Sequence, residues 1–248
     1  MNQNIGKELA DGVLYLTLER PEKKNALTQS MYQTLTQTLA AADEDPEVRV
    51  IHLTGSGDSF CAGNDIADFI AAGQSDYRDL PGLHFLQQLH RQRKPVVVAV
   101  NGIAVGIGVT LLLHCDIAYA VESARFRLPF VDLGVVPEGG SSQILPQMLG
   151  HRKAAELLLA CEPFDAGEAE RYGIINHSYP AEQLLSKSRE MALKLAAKPA
   201  VALQQAKQML KANTGKPLDE VLPAEVALFM ERLGSEETQK ILRSYLSQ

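Results

Sequence analysis

The chain has 248 residues, with 24 lysines and arginines against 30 aspartates and glutamates, and its formal net charge is −6 at pH 7. The hydrophobic fraction of 46% and the charged fraction of 22% are typical of a soluble globular protein that is long enough to bury a sizeable core. The acidic balance argues against a protein that binds nucleic acid.

The first half of the chain predicts alternating strands and helices. Its segments show either the two-residue alternation of strands or the helical spacing of apolar residues, separated by turn residues. In chain order they are a hairpin that turns at Asp11-Gly12, a helix capped by Thr28, a strand at 48–55, a helix at 80–90, a buried strand at 95–102, a buried helix at 108–115 and a strand at 116–122.

The second half predicts mostly helices. Helical patterns occupy 142–149, 152–161, 165–172, 181–196, 199–213, 217–233 and 235–247. Alternating strands and helices followed by a helical tail are typical of an α/β fold with a C-terminal helical region.

Several kinds of site are not expected. The sequence has no GxGxxG, GxxxxGK[ST], GxSxG or HExxH motif. His84 and His90 are six residues apart, which does not place two metal ligands on one helical face, so no metal site is predicted. The apolar run at 96–113 is interrupted by Asn101 and glycines, which favours a strand and a buried helix over a membrane span.

The cysteines and the N-terminal sequence bear on the cellular compartment of the protein. Cys61, Cys115 and Cys161 are far apart and form no CxxC pair, which is typical of proteins from reducing compartments. The N-terminus lacks the basic and apolar regions of a signal peptide. The sequence therefore predicts a cytoplasmic protein.

Two glycine-containing loops each follow a predicted strand. They are "TGSGDSFCAGND" at 54–65 and "NGIAVGIGVT" at 101–110. Backbone N–H groups at the start of a helix lack partners, and glycine lets a ligand approach the backbone closely. Two such loops in one domain could direct a pair of N–H donors at one oxygen and form an oxyanion hole.

Four segments together resemble the crotonase superfamily, also called the enoyl-CoA hydratase/isomerase family. They are "RPEKKNALT" at 20–28, "FCAGNDI" at 60–66, "KPVVVAVNGIAVGIG" at 94–108 and "PEGGSS" at 137–142. The resemblance covers nearly the whole chain and implies a core of stacked ββα turns that form two roughly perpendicular sheets. It assigns that core to residues 1–198, and to 199–248 a helical region that covers the site and mediates trimer contacts.

The resemblance implies an acyl-CoA thioester as substrate and no separate cofactor, because coenzyme A arrives with the substrate. The backbone N–H groups of Asn64 and Ile107 would hold the thioester oxygen and stabilise an enolate-like intermediate. Ala62 matches the position whose backbone meets the adenine, and Lys23 lies in the loop that runs along coenzyme A. Further substrate contacts are implied at Ala26, Gly63, Asp65, Ile66, Gly106, Gly108 and Phe130. Asp65 is also expected to cap the following helix.

The chain departs from the hydratases of this family at two positions. Their two catalytic glutamates correspond to Thr110 and Phe130, neither of which can act as a general base. Glu138 matches the single carboxylate of the family's Δ3,Δ2-enoyl-CoA isomerases, especially the peroxisomal type. One carboxylate in apolar surroundings, which raise its pKa, can take a proton from C2 and return it at C4.

Other interpretations stay open. Glu138 could lie in a solvated turn, since Pro, Gly and Ser are common in turns. Asp132 is either a surface residue or a second acid, which would serve weak hydration or thioester hydrolysis. A non-catalytic binder of CoA thioesters is the third alternative.

A valine at Gly63 or Gly108 is expected to block turnover and leave the fold mostly intact.

The C-terminal tail also carries an apolar stripe. Val226, Phe229, Met230 and Leu233 recur in it at helical spacing. Together with the resemblance, the stripe predicts a homotrimer or a hexamer made of two trimers.

Overall fold

A computed structural model describes residues 4–72, 76–212, 215–216, 227, 229, 231–232, 235–236, 238 and 240. Its strands are β1 (Ile5–Ala10), β2 (Val13–Leu18), β3 (Val50–Gly55), β4 (Ser59–Cys61), β5 (Val96–Val100), β6 (Ile103–Val105), β7 (Ile117–Val121), β8 (Arg125–Arg127), β9 (Phe164–Asp165) and β10 (His177–Tyr179). Its helices are α1 (Gln29–Glu44), α2 (Ile66–Ala72), α3 (Pro81–Arg91), α4 (Ile107–Thr110), α5 (Ser141–Leu149), α6 (His151–Leu159), α7 (Ala166–Arg171), α8 (Ala181–Ala196) and α9 (Ala200–Ala212).

The strands form two sheets. The larger sheet has the order β1-β2-β3-β5-β7-β10, in which β1 and β2 are antiparallel and the other pairs are parallel. The smaller sheet has the order β4-β6-β8-β9. The predicted α/β fold with two sheets is therefore confirmed.

Local sequence accounts for the first elements as predicted. Asp11 and Gly12 both have positive φ angles, 52° and 75°, which is the backbone of a tight two-residue hairpin turn. Thr28 caps α1, because its Oγ1 accepts a hydrogen bond from the Met31 N–H at 3.2 Å. Beyond the cap, α1 buries the apolar face that its sequence predicts.

The larger sheet forms the centre of the core and positions the glycine-containing loops. All five residues of β5 are buried, as expected for a central parallel strand that is covered on both faces. The chain leaves the larger sheet after β3 and again after β5, and each time it enters the smaller sheet, through β4 and β6. Because β4 and β6 pair, the loops at their ends come together.

The chain divides into two compact units, Met1–Ala196 and Ala197–Gln248. In the second unit α9 confirms part of the helix predicted at 199–213. Of the predicted stripe, Val226, Met230 and Leu233 lie outside the described residues, and Phe229 is exposed. The trimerisation and lid roles of this region stay predictions. Among the described helices, none has the length and apolar character needed to span a membrane.

The first unit contains a buried histidine, His52, from which we predict that acid destabilises the fold. His52 on β3 is buried, and its Nε2 lies 2.9 Å from the Ser188 hydroxyl on α8. Burial, with a smaller contribution from the Arg189 guanidinium, lowers the pKa of His52 from 6.5 to about 4. The neutral imidazole is therefore the form that the folded chain holds at neutral pH.

We expect the free energy of unfolding to decrease as the pH falls from about 6.5 to about 4. In this range the unfolded chain protonates His52 and the folded chain does not, so acid favours unfolding, by up to roughly 3 kcal/mol. Urea unfolding at about pH 7 and about pH 4.5 measures the effect. His52→Gln should reduce the pH dependence, while the same change at the exposed His151 should not; equal pH dependence in wild type and His52→Gln would contradict the assignment.

Candidate active site

A cavity of about 270 Å³ in the first unit brings the main candidate residues together. Its apolar wall comes from α3, from Leu27 and from Ile107. Its polar groups come from the start of α1, the loop that leads into α2 and the loop before α5. The lining consists of Leu27, Gln29, Tyr32, Asn64, Asp65, Asp68, Leu80, Pro81, Gly82, Leu83, Leu86, Ile107, Glu138 and Gly139.

The loop before α5 holds Glu138 at this cavity. Gly139 and Gly140 have φ angles of 64° and 74°, a left-handed conformation that glycine adopts without strain. The Ser141 N–H and hydroxyl both donate to the Glu138 carbonyl oxygen, at 3.1 and 2.7 Å. His114 Nε2 lies 2.8 Å from the Gly139 carbonyl oxygen. The loop is thus fixed on both sides of Glu138.

The Glu138 carboxylate is half-buried and has one hydrogen-bond donor among the described residues. The Thr110 hydroxyl donates to Glu138 Oε1 at 2.6 Å. Burial raises the pKa of Glu138 above its usual value, and the Thr110 hydrogen bond offsets part of that effect. A carboxylate with a raised pKa is a stronger base than an ordinary one, and a pKa nearer the operating pH suits a group that first takes a proton and then returns it. This environment differs from the solvated turn that the local sequence left open.

The two aspartates that line the cavity are engaged by different hydrogen-bond partners. Asp65 Oδ2 lies 2.7 Å from Arg20 Nη1, and its Oδ1 accepts hydrogen bonds from the Ala67 and Asp68 N–H groups. The Arg20 hydrogen bond and these caps hold the pKa of Asp65 below its usual value. Asp68 Oδ2 accepts a hydrogen bond from the Gln29 N–H at 2.8 Å. Both aspartates are therefore structural acceptors, as predicted for Asp65.

The backbone directs the Asn64 N–H away from the neighbouring loop. Leu27 donates its N–H to the Gly63 carbonyl oxygen at 2.8 Å and accepts from the Asp65 N–H at 2.9 Å, so it forms a parallel bridge opposite Asn64. In a parallel bridge of this kind, Gly63 and Asp65 bond to Leu27, and the N–H of Asn64 between them points away from Leu27. Within the described residues, the Asn64 N–H has no hydrogen-bond acceptor.

The Ile107 N–H lies at the start of a helix. Ile107 is the first residue of α4, whose amide has no acceptor four residues earlier in the helix. The Val109 and Thr110 N–H groups both donate to the Gly106 carbonyl oxygen, at 2.9 and 3.0 Å. The Ile107 N–H has no acceptor in the described part of the chain. Asn64 and Ile107, which line the same cavity, therefore each have a free backbone donor.

The other predicted contact residues are not among those that line this cavity. Lys23 and Ala26 belong to the loop that is paired with 62–65, where the Ala62 N–H donates to the Lys24 carbonyl oxygen at 2.9 Å. Ile66 is exposed at the start of α2, and Phe130 is buried. The residues outside the lining are Lys23, Ala26, Ala62, Gly63, Ile66, Gly106, Gly108 and Phe130.

Gly108 has a structural reason to be glycine that the sequence analysis missed. A Cβ at Gly108 would lie 2.4 Å from the Cys61 carbonyl oxygen, a distance that requires the backbone to move. The expectation that a valine at Gly108 leaves the fold mostly intact is therefore wrong. Gly108 is small because the two glycine-containing loops pack against each other at this point.

Asp132 lies outside the cavity. Its Oδ2 is 2.6 Å from Arg127 Nη2, and both side chains are about half exposed. A surface ion pair of this kind contributes little to stability, and it keeps the carboxylate on the protein surface. Of the two interpretations of Asp132, the structure supports the surface residue.

Two side chains that hydrogen-bond to the catalytic candidates Glu138 and Asn64 were missed in the sequence. Thr110 was noted only as a replacement for a glutamate, and its hydrogen bond to Glu138 was not foreseen. Tyr32 lies on the buried face of α1 and donates its hydroxyl to Asn64 Oδ1 at 2.5 Å. The available signal was a tyrosine within an apolar stripe, since a buried tyrosine hydroxyl needs a partner.

Comparisons with known proteins show which family the chain is similar to. The family model "Enoyl-CoA hydratase/isomerase" matches residues 8–248. The chain is 33% identical to the 2,3-dehydroadipyl-CoA hydratase of Escherichia coli K12, over 94% of this chain and 92% of that protein. It is also 33% identical to the 1,2-epoxyphenylacetyl-CoA isomerase of the same organism, over 91% of this chain and 88% of that protein. The crystal structure of an enoyl-CoA hydratase/isomerase from Pseudoalteromonas atlantica T6c is similar, with a TM-score of 0.81 and 35% identity over 99% of this chain and 97% of that one.

Proposed function

The chain belongs to the enoyl-CoA hydratase/isomerase family of the crotonase superfamily, and we propose that within it the chain is a Δ3,Δ2-enoyl-CoA isomerase. The substrate would be a 3-enoyl-CoA thioester and the product trans-2-enoyl-CoA, with no cofactor beyond the coenzyme A of the substrate. The observation that carries this proposal is Glu138, a carboxylate that lines the cavity and whose pKa burial raises above its usual value.

The proposed reaction uses Glu138 twice. Thr110 holds Oε1 of the carboxylate, which leaves Oε2 to face the substrate. Glu138 takes the proton from C2, and the electron pair of the C–H bond moves into an enolate that extends to C4. The same carboxyl group then returns the proton at C4, so the double bond moves from C3–C4 to C2–C3 and the enzyme ends unchanged.

The free N–H groups would stabilise the intermediate. During the reaction negative charge develops on the thioester oxygen, and the Asn64 and Ile107 amides would donate hydrogen bonds to it. The apolar wall from α3 would accommodate the acyl chain and keep water away, which strengthens both hydrogen bonds. These donors belong to the backbone and are fixed before the substrate arrives.

Hydration is the second candidate because the E. coli K12 relative named above is a 2,3-dehydroadipyl-CoA hydratase. Adding water to a double bond requires a group that activates the water, in addition to a proton donor. Thr110 has its hydroxyl engaged with Glu138, and Phe130 is a hydrocarbon side chain. Glu138 alone favours a proton shuttle over the activation of water.

A side-by-side assay tests the proposal. We expect the purified chain to convert trans-3-enoyl-CoA to trans-2-enoyl-CoA, seen as a rise in the ultraviolet absorbance of the conjugated thioester. Given trans-2-enoyl-CoA, it should leave that absorbance unchanged. Loss of the absorbance at a rate equal to or above isomerisation would favour a hydratase. Release of free thiol would favour thioester hydrolysis, and no turnover of either substrate would favour a binding protein.

A further inference from the structure

The buried Tyr32 and the partly exposed Asn64 form a hydrogen-bonded pair at the cavity. Tyr32 is 4% exposed, and its ring packs against Phe85 of α3 with the ring centres 5.6 Å apart. Its hydroxyl donates to Asn64 Oδ1 at 2.5 Å, and both residues line the cavity. Tyr32 thus lies between the apolar wall and the loop that carries one of the two free N–H groups.

This hydrogen bond fixes the orientation of the Asn64 carboxamide. An asparagine side chain has one acceptor oxygen and two N–H donors on its nitrogen. The Tyr32 hydroxyl engages the oxygen, while the Nδ2 atom has no hydrogen-bond partner among the described residues. Asn64 is partly exposed and lines the cavity, so these unpaired donors are available to a ligand that binds there.

The Tyr32 hydroxyl is well suited to holding the Asn64 carboxamide in one orientation. Burial raises the pKa of Tyr32 well above its usual value, so the hydroxyl keeps its proton and acts as a donor. A phenylalanine would fill the same space against Phe85 without engaging the carboxamide, which could then rotate about its last bond. The hydroxyl selects one orientation of the asparagine and contributes little to packing.

We propose that the Asn64 side-chain NH₂ donates a hydrogen bond to the oxygen of the bound acyl-CoA thioester, and that Tyr32 is the positioning residue that directs it there. The oxyanion site would then have three donors, namely the two backbone N–H groups and this carboxamide. The inference rests on the proposed function, because it takes the ligand to be an acyl-CoA thioester. It goes further by giving the side chains of Tyr32 and Asn64 a role, whereas the proposed mechanism uses only the backbone N–H of Asn64.

A double-mutant cycle tests whether Tyr32 acts through Asn64. We expect Tyr32→Phe to lower kcat for trans-3-enoyl-CoA by about five- to tenfold with little change in KM, since it removes one hydrogen bond. Asn64→Ala should lower kcat at least as much, and Tyr32→Phe added to Asn64→Ala should cause no further loss. Independent, multiplicative losses would overturn the positioning role, and full activity of Asn64→Ala would overturn the third donor.

A second measurement is independent of turnover. A hydrogen bond to the thioester oxygen polarises a conjugated trans-2-enoyl-CoA and shifts its ultraviolet absorbance to longer wavelength. We expect a shift on binding to the wild-type chain and a smaller one in Tyr32→Phe and Asn64→Ala. Tyr119→Phe removes the hydroxyl of another buried tyrosine, on β7, and should keep the wild-type shift.

The two measurements separate the inference from the proposed function. A chain without isomerase activity that still shows a Tyr32-dependent and Asn64-dependent shift would overturn the isomerase assignment and support the third donor. Isomerase activity together with the same absorbance shift in wild type, Tyr32→Phe, Asn64→Ala and Tyr119→Phe would support the isomerase assignment and overturn the third donor.

Discussion

Replacing Glu138 by glutamine should lower kcat for the isomerisation of 3-enoyl-CoA by a factor of at least about 10²–10⁴, the usual contribution of a positioned proton-transfer group. Glutamine keeps the size of the side chain and can still accept the Thr110 hydrogen bond, but it cannot take a proton from C2. Acyl-CoA affinity should persist, because the Asn64 and Ile107 donors belong to other loops. Steady-state kinetics and a binding titration with trans-2-enoyl-CoA measure the two quantities.

The same exchange of carboxylate for amide at Asp132 provides the matched control. Asp132 pairs with Arg127 at the surface and lies outside the cavity lining, so Asp132→Asn should keep wild-type kcat. Glu138→Asp should retain a little activity, since its carboxylate is one methylene too short to serve both C2 and C4. A Glu138→Gln enzyme with wild-type turnover would move the chemistry away from Glu138.

Much of the larger sheet could be predicted from the sequence because its strands are long and strongly patterned. The hairpin at Asp11-Gly12 and the buried run of β5 have local signals that tertiary structure reinforces. The Thr28 cap is likewise a local signal, since the hydrogen bond that it makes spans three residues.

The family resemblance implied a second sheet, but its individual strands were not predicted from the sequence, and their lengths explain why. β4, β6 and β8 have three residues each, and β9 has two, which is too short for an alternation of apolar and polar residues to be recognised. Pairing between distant segments creates these strands. The sequence of each segment alone indicates only a loop.

The candidate site divides in the same way. Glu138, Asn64 and Ile107 were expected from motifs within single segments, and the structure brings all three to one cavity. Thr110 and Glu138, which are joined by a hydrogen bond, are 28 positions apart in the sequence. Tyr32 and Asn64, which are joined by another, are 32 positions apart. No local pattern encodes which residue such a side chain contacts, so only the folded structure could identify the two partners.

Gly63→Ala should lower kcat by about 10²–10³, the usual cost of losing one preorganised oxyanion donor. Gly63 has a φ of 100°, which side chains rarely adopt, and a Cβ there would lie 3.2 Å from the Val105 carbonyl oxygen. Val105 ends β6, two residues before Ile107, so the added methyl group presses on the segment that carries the second donor. One substitution therefore disturbs the spacing of both N–H groups.

Gly150→Ala separates this effect from backbone strain. Gly150 has a φ of 77° and no atom within 4 Å of the position of an added Cβ, so alanine there introduces comparable backbone strain without pressing on a neighbour. Both variants should lose some stability in urea unfolding, but only Gly63→Ala should lose kcat, together with the shift in the absorbance of bound trans-2-enoyl-CoA. If kcat fell equally in both variants, general destabilisation would explain the loss. If Gly63→Ala kept wild-type kcat and the full shift, the Asn64 and Ile107 amides would not be the donors, because their loops meet at this glycine.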